Sequence, residues 1–420
     1  MTATNSAVFD AFSRHVSAGK VRHWRAYGFE FPYGRREGPF VWDVDGQHRL
    51  INCHVNGGCY NLGHRNPDLI KTLIAATETL DAGNHHLPSM ARARLAERLA
   101  ETSPQRGMSR VVFGSSGGEA IDVALKAARR MTGRRKIVSI ELAYHGHTGL
   151  ALGCGAESYI DYFNSATDDN RRVPFNDLPA LEAALDDTVA AVIVETVPAT
   201  LGMPIPAPGY LAGVKTACER NGSLYIADEV QTGLGRTGRF WGVEHFGFVP
   251  DLLVSAKGLG GGLYPVTATL MTEDVFANFD ENPFAHVSTM GGAEIGCPVA
   301  EKVIEISSDP AFLDHVTQLA QRFAEGFDEL KQRYPDTLIE VRQLGLFMGL
   351  KFNRPKGGYI AMKSAVREGV LGWRAGNDLS VMQFLPPLII DLDLADEILE
   401  RLDRACAGFA RAADELGIAL

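Results

Sequence analysis

Six short runs in the middle of the chain are apolar almost throughout: RVVF at 110–113, KIVSIE at 136–141, AAVIVE at 190–195, SLYIAD at 223–228, DLLVSA at 251–256 and VTATLM at 266–271. A strand without polar alternation needs cover on both faces of its pleat, as in a parallel sheet layered between helices. The amphipathic stretches at 118–131, 179–186 and 209–221 supply that cover. The pattern predicts an α/β domain over residues 60–310. Before it, Val41, Trp42, Val44 and the Asp45-Gly46 pair predict two short strands around a turn. After it the pattern is mainly helical, with strand-like pieces at LGLFMGLKF (344–352) and FLPPLII (384–390). Residues 1–59 and 311–420 are therefore expected to build a smaller α+β domain together. A length of 420 residues allows two or three domains, at roughly 100–200 residues each.

Charge and cysteine usage exclude several functions. The formal net charge of −10 disfavours a phosphate backbone as partner, so nucleic-acid binding is not expected. Cysteines at 53, 59, 154, 218, 297 and 406 form no CxxC pair, and a chain of this size needs no disulfide framework. Cys53, His54, Cys59 and His64 match no zinc spacing. His145 and His147 lack a neighbouring acid to complete a metal site, so no metal is expected. The first residues carry no apolar run fit for a signal peptide, and no stretch reaches the length of a membrane span. A cytoplasmic protein with reduced thiols is the expectation.

In open α/β sheets ligands bind beyond the carboxyl ends of the strands. After RVVF comes Gly114-Ser115-Ser116-Gly117-Gly118, which opens a strong helix former. Backbone N–H groups at such a helix start form a phosphate cradle, with Ser116, Gly117 and Gly118 the candidates. No Gly-Lys-Ser/Thr follows, so this is not a P-loop. The run KIVSIE leads into Tyr144-His145-Gly146-His147, where an aromatic can floor a flat ligand. SLYIAD ends in Asp228, a carboxylate that burial would penalise without a cation or donors. DLLVSA is followed at once by Lys257 and then by glycines. A partly desolvated lysine with space above it loses its proton readily and forms Schiff bases. Twenty-nine residues separate Asp228 from Lys257, one strand–connection–strand unit, so both are expected at strand ends of one sheet. Gly233–Gly238 fits GxGxxG but opens no helix pattern, and Lys257 stands where the required acid would be. A nicotinamide site is excluded on that ground.

Residues 224–266, LYIADEVQTGLGRTGRFWGVEHFGFVPDLLVSAKGLGGGLYPV, are similar along their whole length to the signature of ornithine and 4-aminobutyrate aminotransferases. SSGGEA (115–120), YHGHT (144–148), PGYLAGV (208–214), STMGG (288–292) and FLPPLII (384–390) follow in that family's order. The chain thus resembles a class III aminotransferase over about residues 35–410. The resemblance implies fold type I, the aspartate aminotransferase-like fold, and pyridoxal 5′-phosphate as cofactor. It implies that Lys257 holds the cofactor as a Schiff base and moves the substrate proton, while Asp228 pairs with the pyridine nitrogen. Tyr144 and Val230 would enclose the ring, Gln231 would donate to its phenolic oxygen, and His145 and Glu195 would support the site. Thr289 would reach the phosphate of a partner subunit, making a homodimer with shared sites.

Departures from the family pattern concern the substrate. Gln383 precedes FLPPL where many members carry a carboxylate-gripping arginine. Thr200 stands five residues after Glu195, in place of the glutamate that neutralises that arginine. His147 replaces a second arginine. With Asn56 these are the candidate substrate residues. Loss of the arginine forks removes bidentate carboxylate recognition. A polyhydroxylated, amine-bearing substrate is expected, as in the amino-sugar aminotransferases of aminoglycoside biosynthesis. The alternatives are an ω-amino-acid or amine aminotransferase anchored by Arg22, Arg25, Arg35, Arg36 or Arg342, and an epimerase or aminomutase using the same lysine and acid.

Overall fold

A computed structural model describes residues 4–84 and 86–418. The chain divides into two compact units. Pro67–Val316 forms one, and the residues before Pro67 together with those from Thr317 onward form the other.

The larger unit is built on a seven-stranded sheet. Its strands in chain order are β1 (Arg110–Gly114), β2 (Lys136–Ile140), β3 (Asn170–Val173), β4 (Val189–Glu195), β5 (Leu224–Asp228), β6 (Leu252–Ser255) and β7 (Thr267–Met271), and their spatial order is β1-β7-β6-β5-β4-β2-β3. β7 runs antiparallel to both its neighbours, and the others share one direction. All seven residues of β4 and all five of β5 are buried, which is why their sequences are continuously apolar. β3 escapes the apolar pattern. Its Asn170, Arg171 and Arg172 are only half-buried on an edge strand, so the composition that marks the central strands is not required there.

Helix α1 (Gly117–Thr132) packs against this sheet with Ile121, Ala124, Leu125 and Ala128 buried. Ser116 caps it by accepting from the Glu119 N–H at 3.2 Å, and Gly133 ends it in the left-handed conformation. The helical segments expected at 179–186 and 209–221 form Leu178–Ala184 and Tyr210–Asn221.

The other unit carries two four-stranded sheets. Phe40–Asp43 and Arg49–Asn52 pair antiparallel, with Val44 in the turn rather than in a strand. The strand-like piece at 344–352 is resolved into a hairpin of Leu338–Leu344 and Phe347–Phe352, turning at Gly345 with φ +60°. At 384–390 the structure differs from the expected strand. The strand is Val381–Phe384 and stops there, because Pro386 and Pro387 have no N–H to donate to a ladder. Two helices near the amino end, Asn5–Phe12 and Ala18–Ala26, were not expected from the sequence.

Candidate active site

The parallel register sets Glu195 directly beside Asp228 at the carboxyl ends of β4 and β5, and Asp228 beside Val254 of β6. Lys257 follows two residues after β6. A cavity of about 190 Å³ opens over these ends. Lys257, Asp228, Glu195, Tyr144 and His145 line it, as do Gly117, Gly118, Val230 and Gln231. Residues separated by up to 140 positions thus converge within one unit.

Two glycines allow that convergence. A Cβ on Gly118 would lie 2.6 Å from Thr148 Oγ1, and one on Gly146, at φ +112°, would lie 2.8 Å from the Gly118 Cα. The Tyr144–Thr148 loop can therefore press onto the start of α1 only without side chains at these positions. Gly117 and Gly118 open the helix, so their N–H groups have no acceptor within it. Ser116 is exposed, and its hydroxyl serves as the helix cap. Glu119 takes the Ser115 N–H at 2.7 Å.

Both oxygens of Asp228 are held. Oδ2 lies 2.7 Å from His145 Nδ1, and Oδ1 accepts the Val230 N–H at 3.0 Å. Burial alone would lower the His145 pKa, but the hydrogen bond to Asp228 and the charges of Asp228 and Glu195 outweigh it and raise it. The two acids beside it thus hold the imidazole more basic than a free one. Its Nε2 is buried with no hydrogen-bond partner among the described residues. Glu195 is pushed up to about 7, first by burial, with His145 pulling the other way and Asp228 adding to the rise. Its carboxylate accepts from the Tyr144 N–H at 3.0 Å and the Ala199 N–H at 3.2 Å, so it holds the aromatic loop over the sheet. Lys257 has φ +43°, a strained backbone for a residue with a side chain, of the kind that concentrates at functional sites.

The sequence motif around Asp228 also contains Glu229, to which sequence reasoning gave no role. Its buried carboxylate accepts from the Thr196 hydroxyl and from the Gly242 and Val243 N–H groups, both at 2.8 Å. Burial pushes it up to about 7. It ties the end of β4 to the segment beyond the Gly233–Gly238 loop. That loop is a series of turns and opens no helix.

Other candidates lie elsewhere. Thr200 donates to the Leu142 carbonyl at 3.1 Å and does not line this cavity. His147 is exposed beside Tyr144, with ring centroids 5.2 Å apart. Thr289 is exposed in an irregular segment. Gln383 is buried in Val381–Phe384, and Asn56 lines a separate cavity of about 530 Å³ with Trp24, Phe29, Tyr60 and Trp373. Both belong to the other unit.

A lysine, a buried acid, an aromatic ring and the glycine-opened start of a helix thus share one cavity at the carboxyl ends of the strands. The aminotransferase class-III family model matches residues 24–406, and the chain belongs to that family. A protein of Archaeoglobus fulgidus described as an uncharacterized aminotransferase is 50% identical over 395 residues, covering 94% of this chain and 92% of its own. The ornithine aminotransferase of Toxoplasma gondii, crystallised with oxidized glutathione and showing partial occupancy of pyridoxal phosphate, shares 25% identity. It superposes with a TM-score of 0.87 over 99% of this chain and 96% of its own. The N-acetylornithine aminotransferase of Stenotrophomonas maltophilia shares 26% identity, with a TM-score of 0.79 over 93% and 100% of the two chains. The fold is that of the type I pyridoxal-phosphate enzymes, and the chain is a pyridoxal-phosphate-dependent aminotransferase. Within the described residues no helix is long and apolar enough to cross a membrane.

Proposed function

We propose that this aminotransferase acts on a polyhydroxylated, amine-bearing substrate without a carboxylate, of the amino-sugar kind. The observation that carries this reading is the make-up of the cavity. Among the described residues lining it, Lys257 is the one lysine or arginine. No guanidinium offers a carboxylate the paired donors it favours. In the other unit, three of the arginines considered as substitute anchors already have acid partners. Arg25 meets Glu30 at 3.4 Å, Arg342 meets Glu340 at 2.9 Å, and Arg35 meets Glu37.

The chain's own residues divide the work as follows. Gly117 and Gly118 would hold the cofactor phosphate through their N–H groups. Tyr144 and Val230 would confine its ring, and Gln231 would donate to its oxygen. Asp228, fixed by His145 and Val230, would keep the pyridine nitrogen protonated. Lys257 would be the covalent anchor, and its amine, once displaced by the substrate's amine, would take the proton from the substrate Cα. Bound pyridoxal phosphate supplies the electron sink that lets this C–H bond break. Amino donor and oxo acceptor take turns in the same site.

A second reading, an ω-amino-acid aminotransferase, is favoured by the likeness to ornithine and acetylornithine aminotransferases. Comparing kcat/KM for 2-oxoglutarate and for a 6′-oxo aminoglycoside separates the two. The sugar should be the better acceptor, because a dicarboxylate finds no guanidinium among the described residues lining the cavity. Preference of the wild type for 2-oxoglutarate, with ornithine or 4-aminobutyrate as donor, establishes the second reading instead.

Assembly follows from the same proposal. Thr289 is flanked by Phe284, Val287 and Met290, which are 68%, 51% and 50% exposed. Such a cluster is a surface awaiting cover. We expect a homodimer in which Thr289 reaches the partner's phosphate. Sedimentation should show at least a dimer, and Thr289→Ala should weaken cofactor affinity without dissociating it. An active monomer at assay concentration contradicts this arrangement.

A further inference from the structure

Tyr144 is the inner end of a continuous aromatic surface. Tyr159 stands edge-on to it, with centroids 6.0 Å apart and an interplanar angle of 85°. His147 lies 4.9 Å from Tyr159 and 6.1 Å from Phe163. Two of these rings come from the loop after β2. The other two come from the helix Glu157–Tyr162 and the residue that follows it. The fold, not sequence adjacency, makes the surface. Tyr159 is half-buried, while His147 is exposed and Phe163 is 53% exposed. Contiguous rings left in water mark an interaction site.

We propose that His147, Tyr159 and Phe163 form a specificity wall that receives the non-reacting ring of the amine substrate. The proposal rests on the reading above, in which Tyr144 lies in the reaction cavity and the substrate is an amine without a carboxylate. The surface begins at a residue lining that cavity, so a substrate held there and longer than its reacting carbon extends along it. Aromatic faces and edges attract the C–H face of a saturated ring or the π face of an aromatic one, and they favour cationic amines nearby. A linear chain covers less of such a wall. The imidazole at position 147 adds a flat surface with two nitrogens able to hydrogen-bond hydroxyl groups.

The test compares kcat/KM for three amines: an aminocyclitol, an arylalkylamine and the linear 1,5-diaminopentane. The wild type should prefer a ring-bearing amine, and whichever ring arm is faster identifies the ring's chemistry. Tyr159→Ala and Phe163→Ala should each lower the ring-to-linear ratio about fivefold, and Tyr159→Phe should restore it. Calorimetry with a ring alcohol that has no amine to react should show the same loss of affinity. Phe163 is exposed enough for its alanine variant to fold. An unchanged ratio and an unchanged ring affinity in both alanine variants overturn the proposal. So does dissociation of the oligomer by Phe163→Ala with the ratio unaltered, which would make the surface a subunit contact. Failure of every amine to react, with ring affinity still lost in the variants, would sink the substrate reading and leave the wall standing.

Discussion

Lys257→Ala is expected to abolish turnover and the visible absorption that the wild-type protein acquires with pyridoxal phosphate. The expectation rests on where β6 delivers this residue. Leu252–Ser255 are buried, and the chain then turns through a 3₁₀ segment at Lys257–Gly260. Lys257 takes φ +43° at that turn, and its side chain lines the cavity beside Asp228. Alanine can occupy the same strained backbone at similar cost. The fold should therefore persist while the nucleophile disappears. A covalent group that is also the proton carrier acts in several steps, so the loss should amount to several orders of magnitude. Each factor of ten corresponds to about 1.4 kcal/mol of barrier. Lys257→Arg should fail as well, because a guanidinium keeps its proton and cannot attack a carbonyl carbon. Turnover near the wild-type level in either variant, or a wild-type protein that stays colourless with the cofactor, defeats the assignment.

How far the sequence revealed this site depends on whether a residue's role is local. Asp228 and Lys257 were legible because each directly follows a wholly apolar run, and an ionisable group at the end of a doubly covered strand needs an explanation. The seating of Gly117 and Gly118 was legible in part. A Gly/Ser turn before a helix former marks a helix start with free N–H groups, but the contact of Gly118 with Thr148 and Gly146 joins segments about thirty residues apart. Glu229 gave no signal of its own, since its donors come from Thr196, Gly242 and Val243, which only the folded sheet brings together. Tyr159 was missed for the same reason. It sits on a six-residue helix whose placement beside Tyr144 no local pattern encodes. In the sheet, β3 was hidden by its arginines. The expected strand at 384–390 was misplaced because apolar residues around two prolines satisfy burial without satisfying a ladder.

Asp228→Asn tests the centre of the site most directly, because it keeps the side-chain shape and removes the charge. In the wild type, His145 Nδ1 stands 2.7 Å from Asp228 Oδ2, and the histidine's pKa is raised above its usual value. The carboxylate and the imidazolium sustain each other in a site where water contributes little. Neutralising position 228 removes the largest influences that oppose burial at His145, so the imidazole should become neutral at a lower pH than before. At Glu195 the two changes oppose each other, since the upward push of the Asp228 charge is lost together with the downward pull of His145, while the Tyr144 and Ala199 N–H groups still hold the carboxyl. The change to follow is therefore at His145, whose ring should lose its proton at a lower pH in the variant than in the wild type. The variant can no longer keep a proton at the pyridine nitrogen by charge. Well over about a hundredfold should be lost in kcat, as for removal of a positioned acid–base group, while cofactor binding through Lys257 persists. Asp228→Ala should lose at least as much, since it also strands the buried His145 Nδ1 without its acceptor. His145→Gln should fall between, because an amide can still donate to Asp228 but carries no charge. The check is single-turnover kinetics in parallel with the NMR titration of the His145 ring. An Asp228→Asn enzyme that turns over like wild type, with the His145 titration unmoved, would show that this acid governs neither the histidine nor the reaction.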